Sequence, residues 1–274
     1  MYGARVVVLG GLISCALGAA SSDSLAQTPL APSAPSGQTA TPAFEGWYKN
    51  PDGTFSLSFG YYNRNTAEVL SIPAGPDNFI SPGDANQGQP TIFYPRRHWG
   101  VFAVKVPADF GTKKVVWTLK FRGKTYEIPG SLREEWQIDA LEGEAGSNNT
   151  PPVLTIGDGG SPARGPGGSS VDRTASLGKP LTISLVATDD GATSGRTGAA
   201  VTLTWFTHQG PAQATFGTPT ARLPAKGGPS TTTATFSKPG DYVLRVRATD
   251  SEMVSAGHSQ CCWTNAFVKV RVTP

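Results

Sequence analysis

The chain has 274 residues, with 23 Lys and Arg against 20 Asp and Glu, a formal net charge of +3, and 33 Gly and 23 Pro. Its cations are scattered among carboxylates and form no basic stripe, which argues against nucleic acid as a partner and against an anionic membrane as a target. Helix formers are scarce. Runs of Val, Thr, Phe, Tyr and Trp broken by Gly, Pro, Asp and Asn describe an all-β protein long enough for two domains.

Residues 1–26 read as a secretory signal: a cation at Arg5, an apolar run from Val6 to about Ala20, and the small-residue site Ser24-Leu25-Ala26 before Gln27. That run is too short, and too interrupted by Gly10, Gly11 and Gly18, for a membrane span of about 20 residues. Leu12-Ile13-Ser14-Cys15 looks like a bacterial lipobox, which would place a lipid anchor on Cys15; the short apolar run before it favours cleavage after Ala26. Either route exports the protein, to the periplasm or the exterior, or anchors it in the envelope by lipid. Residues 27–43, rich in Pro, Ala, Ser and Thr, have no periodic apolar face and read as a linker.

A first domain is expected over residues 44–141. Pro51-Asp52-Gly53 separates two aromatic runs as a hairpin turn, and Phe55, Leu57 and Phe59 alternate with small polar residues. Further strands are expected at Ala67 to Ile72, Gly100 to Val106, Lys114 to Phe121 and Thr125 to Ile128, in an antiparallel β-sandwich. Ser131 to Leu141 has the spacing of a helix. Residues 142–170 carry Gly, Pro, Ser and Asn and read as a second linker, with Val153 to Ile156 as a short strand belonging to either side.

The second domain is expected over residues 171–274, with strands at Leu181 to Ala187, Val201 to Phe206, Thr231 to Phe236, Asp241 to Ala248 and Ala266 to Thr273. Lys238 to Glu252, "KPGDYVLRVRATDSE", resembles the late strands of bacterial PKD and related immunoglobulin-like domains, in which Pro-Gly-x-Tyr opens a strand ending in Thr-Asp. The resemblance implies an Ig-like sandwich with Trp205 buried between its sheets. Phe206-Thr207-His208-Gln209-Gly210 departs from the acidic, glycine-rich turn that follows the tryptophan in PKD domains, so the domain is PKD-related at most. The first domain resembles N-terminal regions of uncharacterised exported bacterial proteins, which implies no function.

Three histidines, His98, His208 and His258, lie in no nucleophile or metalloprotease motif, and Glu134, Glu135 and Asp139 read as a solvated loop. The chain is therefore expected to be a non-catalytic binding or structural module with no obligatory cofactor. A carbohydrate-active accessory enzyme and a lipid-anchored assembly protein are the alternatives.

Four groups carry candidate chemistry. Tyr94, Arg96, Arg97, His98 and Trp99 offer flat rings and donors for a polysaccharide, against the reading that they fill a core; another envelope protein is the alternative partner. Asp189 and Asp190 end one strand and Asp250 and Glu252 an equivalent one, where they offer oxygen ligands for calcium or merely start turns. Cys261 and Cys262 adjoin. With Cys15 cleaved off or lipidated, they have each other, another chain, or a metal shared with His258. Their Cα atoms, about 3.8 Å apart across one peptide, sit closer than most disulfides allow, so a bridge would be a strained ring that stiffens the loop or serves redox chemistry.

Overall fold

Gly53 turns with a positive φ of 84° and donates its N–H to the Asn50 carbonyl at 3.0 Å, which closes the first hairpin at the Pro-Asp-Gly turn. The structure, a computed structural model, describes residues 3, 34–143, 149–157, 159–192, 200–250 and 261–274. The signal segment, Cys15, Glu252 and His258 lie outside the described residues.

The first half contains β1 (Ala40–Lys49), β2 (Phe55–Asn63), β3 (Leu70–Ser71), β4 (Asn78–Ser81), β5 (Ile92–Phe93), β6 (Arg96–Val106), β7 (Val115–Phe121) and β8 (Lys124–Gly130). They form sheets β1-β2-β6 and β4-β7-β8 and the short pair β3-β5. Phe59, Phe102 and Trp117 meet between the two larger sheets, with the Trp117 centroid 5.1 Å from Phe102 and 6.2 Å from Phe59. The buried Trp117 Nε1 donates to Asn78 Oδ1 at 2.9 Å, so the indole reaches the core with its polar atom satisfied. The helix expected at Ser131 to Leu141 is instead a single 3₁₀ turn, Glu134–Trp136, none of whose residues is buried. The segment returns to extended geometry at Gln137, where Ile138 donates its N–H to the Trp47 carbonyl on β1.

The second half contains β9 (Val153–Ile156), β10 (Ser170–Ser176), β11 (Leu181–Thr188), β12 (Thr202–Gln209), β13 (Thr215–Phe216), β14 (Thr220–Arg222), β15 (Gly227–Thr235), β16 (Gly240–Thr249) and β17 (Trp263–Thr273). The order is β10-β17-β16-β12-β14 in one sheet and β13-β15-β11-β9 in the other. Among the described residues of this half, only the β10–β17 strand pairing is parallel. Trp205, buried on β12, stacks on Phe216 of β13 at 5.8 Å across the immunoglobulin-like sandwich. Val153 to Ile156 is a strand of this half, paired with β11.

Alternation along β2 puts Leu57 and Phe59 in the first core and Ser56 and Ser58 on the opposite face, yet those serines are buried too. The second half of the chain covers them. Gly167 donates its N–H to the Tyr48 hydroxyl at 2.9 Å beside Ser56 and Ala103. Farther along, the Trp263 indole lies on Gly100 and donates Nε1–H to its carbonyl at 3.2 Å; Asn265 Nδ2 donates to the same oxygen at 2.7 Å and to Pro166 O at 2.9 Å. Gly100 has φ 44°, and a Cβ there would collide with the indole. Small residues on this face are what allow the two sandwiches to approach this closely.

Gly100→Ala should lower stability by about 2–4 kcal/mol, combining overpacking with a left-handed alanine. A denaturant midpoint within error of the wild type would show that the indole does not rest on residue 100.

Candidate functional site

A register shift opposite Gly60, between Phe59 and Tyr61, re-aims the start of β6, and Arg96 there adopts φ 72°. Gly60 has no side chain because Glu45 and the His98 carbonyl press on it. The five residues of the aromatic segment consequently go three ways. Tyr94 and His98 turn into the seam between sandwiches: the Tyr94 ring lies 5.3 Å from Phe206 of β12, and its hydroxyl accepts the Thr207 N–H at 3.0 Å. His98 stacks on Tyr61 at 4.9 Å and meets Phe206 edge-on at 5.5 Å.

Arg97 turns the other way, donating Nη2 to both carboxylate oxygens of buried Glu45 at 2.7 and 2.9 Å while lying 3.8 Å above the Trp99 ring. Arg96 is exposed, with its guanidinium 5.6 Å from the Tyr62 ring. No single groove gathers the five.

The seam continues through His208, whose Nε2 donates to Gly88 O at 2.7 Å and whose carbonyl accepts the Thr91 N–H at 2.9 Å. Gln209 Nε2 donates to Gln89 O at 2.6 Å, and Gly210 donates its N–H to Thr91 Oγ1 at 3.2 Å. Burial, reinforced by the positive charge of Arg245, pushes both His98 and His208 down to about 3. Both are neutral at physiological pH. Burial also raises Glu45 to about 7 against the opposing pull of Arg97. As neutral imidazoles fixed to backbone carbonyls, His98 and His208 serve as structural hydrogen-bond donors.

At the strand ends, Asp190 accepts from Thr150 N and Oγ1 at 2.9 and 2.6 Å and from Ala192 N, and Asp189 accepts from Gly191 N at 3.0 Å. The bonds from Gly191 and Ala192 are turn-starting, and those from Thr150 tie Asp190 to a segment 40 residues earlier in the chain. Asp250 is buried, and burial, then the charge of Asp189, raises it to about 7. Among the described residues no group of three or more His, Cys, Asp or Glu is arranged around a common metal position.

Cys261 and Cys262 are joined by a disulfide, with Cα atoms 3.7 Å apart and Cys262 at φ 79°, a left-handed conformation that few residues other than glycine adopt. Both are buried, and their sulfurs lie 3.7 and 3.5 Å from the Asn149 carbonyl oxygen. The bridged pair leads directly into Trp263.

The seam residues Phe206, His208, Arg245, Trp263 and Asn265 were not among the candidates read from the sequence. A signal existed: in β12 and β17 bulky residues alternate with core residues, so Phe206 and His208 face away from Trp205, and Trp263, Asn265 and Phe267 away from Ala266 and Val268. Strands apolar on both faces require cover on both faces.

No family model matches the chain, and no curated protein matches it. Among solved structures, it is similar to the D00-D0 domain of intimin at 15% identity, over 86% of this chain and 100% of that one, with a TM-score of 0.27. Domains 4 and 5 of the S-layer protein SbsC align at 11% identity, over 86% and 98% of the two chains, with a TM-score of 0.26. The D0-D1 domain of intimin aligns at 12% identity, over 85% and 97%, also at 0.26. Likenesses this slight carry no argument about function.

His208 binds its proton in the unfolded chain near its ordinary value of 6.5 and in the folded one only near 3, so its contribution is full above 6.5 and is lost as pH falls toward 3. Glu45 acts in the opposite sense, stabilising below 4.5 and losing that contribution as pH rises to about 7, but it does so equally in a His208 variant. The stability advantage of wild type over His208→Asn should shrink on acidification by about 1 kcal/mol per pH unit. An advantage constant with pH would mean that His208 is not held neutral. Separately, the unreduced, unfolded protein should take up no alkyl groups at Cys261 and Cys262 by intact mass; an uptake of two would refute the bridge.

Proposed function

We propose that this chain is an exported, non-catalytic module of the bacterial envelope or secretome, in which two β-sandwiches act as one stiff structural unit. The observation that carries this reading is the seam. Tyr94, His98 and His208, the side chains best suited to hold a sugar or move a proton, are spent on joining the sandwiches through backbone bonds and ring contacts. The Cys261–Cys262 bridge supports export, since disulfides persist in oxidising compartments.

A second reading, polysaccharide binding, is favoured by a residue outside the aromatic segment. Trp136 is 44% exposed on the 3₁₀ turn, backed by the Phe44 ring at 5.5 Å, and presents an open indole to a sugar face.

Calorimetry of the full chain should give one cooperative transition whose van't Hoff and calorimetric enthalpies agree. Two resolved transitions would mean that the sandwiches unfold independently, and the stiff-unit reading would fail. Titration with soluble cell-wall polysaccharides should shift tryptophan fluorescence in the wild type and leave Trp136→Ala unchanged if the second reading holds; an identical response in both removes it.

A further inference from the structure

The bridged cysteines lie where two connections between the sandwiches meet. The chain itself enters the second half through Asn149 to Pro152, and the Asn149 carbonyl oxygen lies 3.7 Å from Cys261 Sγ and 3.5 Å from Cys262 Sγ. The non-covalent connection begins one residue after the bridge, where the Trp263 indole rests on Gly100. Thr264 ties the two together: its Oγ1 donates to the Pro152 carbonyl at 2.5 Å and accepts the Gly165 N–H at 3.0 Å.

Cys262 holds φ 79°, a left-handed backbone that residues with a Cβ avoid. Its bond to Cys261 closes a small ring around the intervening peptide and restricts rotation there. With that bond broken, nothing covalent keeps Cys262 left-handed, and two unbonded sulfurs need more room than a bonded pair inside a buried site. Cys261 is seated against Asn149 and Trp263 against Gly100. A turn of φ at the residue between them rotates one seat relative to the other.

We infer that the Cys261–Cys262 bridge is a redox latch on the seam: intact, it holds Trp263 in place on Gly100, and reduced, it lets the seam open. The reductant is a dithiol. One of its thiolates attacks a cysteine sulfur, the bond between Cys261 and Cys262 breaks, and the freed thiolate takes a proton. The second thiol of the reductant then expels the other cysteine, which is protonated in turn, and closes its own disulfide, so two electrons and two protons pass to the cysteines. Because both cysteines are buried, a dithiol reaches them when the entry to β17 loosens. By linkage, whatever unseats the indole favours the thiols to the same degree that the thiols favour unseating. The latch rests on the reading of the two sandwiches as one stiff unit and names what regulates their union.

The test uses the full chain under native conditions, oxidised or treated with excess dithiothreitol, with the thiols of Cys261 and Cys262 counted by alkylation and intact mass. Hydrogen exchange is followed at amides that donate across the seam: Thr91 to the His208 carbonyl, Gly167 to the Tyr48 hydroxyl and Thr207 to the Tyr94 hydroxyl. Reduction should speed their exchange roughly tenfold and leave the β11–β15 ladder of the second core unchanged. A folded Gly100→Ala variant should shift the dithiothreitol equilibrium toward thiols by about fivefold or more. The exchange measurement needs no variant, so it decides even where Gly100→Ala fails to fold. A bridge that dithiothreitol cannot reduce in the folded chain, seam amides indifferent to reduction, protection lost alike in seam and core, or an unaltered equilibrium in Gly100→Ala would each overturn the latch. Any of these beside a single calorimetric transition of the oxidised chain removes the latch alone; two transitions in the oxidised chain remove the stiff unit and the latch with it.

Discussion

The Trp263 indole occupies the space that any side chain at position 100 would need, and both it and Asn265 direct donors at the Gly100 carbonyl. That contact joins the first residue of β17 to the middle of β6 and so sets the distance between the sandwiches. Around it, Ser56, Ser58 and Ala103 keep the facing surface low, and Tyr48 reaches across to the Gly167 amide. A larger residue at any of these positions would hold the sheets apart and open the hydrogen bonds beyond.

The seam differs in kind from the two cores. The cores are apolar, with rings in tilted and edge contacts. The seam is polar and directional: histidine to carbonyl, tyrosine to amide, glutamine and asparagine to backbone. Such bonds contribute little net stability each, but a misplaced one strands a buried polar group. The seam therefore selects one relative arrangement of the sandwiches far more sharply than apolar contact would. Burial, reinforced by the positive charge of Arg245, also keeps both histidines neutral, so the donors His98 and His208 stay single-purpose.

Much of the fold was legible in the sequence because strand signals are local. Alternation marked β2, β6, β7, β11, β16 and β17 to within a few residues, and Pro51-Asp52-Gly53 marked the first hairpin. Short strands such as β5 and β13 escaped, since two residues carry no period, and the run expected over Ala67 to Ile72 is a strand only at Leu70–Ser71. The vicinal disulfide was also legible, because it follows from counting partners for Cys261. The seam was not. Nothing local distinguishes the small residues at 56, 58 and 100 from ordinary outward-facing ones until it is known what covers them. The same ignorance made Tyr94 to Trp99 read as one patch, whereas a bulge at Gly60 and a left-handed Arg96 split it between a seam and an ion pair.

The bond between positions 100 and 263 spans well over half the chain, so its order of completion is fixed by synthesis. β6 can take its place in the first sandwich long before Trp263 exists, and through that interval its glycine notch and the serine face of β2 have no cover. Until that bond forms, the first sandwich has one undocked face. The notch limits the hazard: its surface is small-residued and rich in backbone acceptors, a poor template for unrelated apolar chains. Only an indole delivered at the right register, on a strand whose entry is braced by the bridged cysteines, closes it.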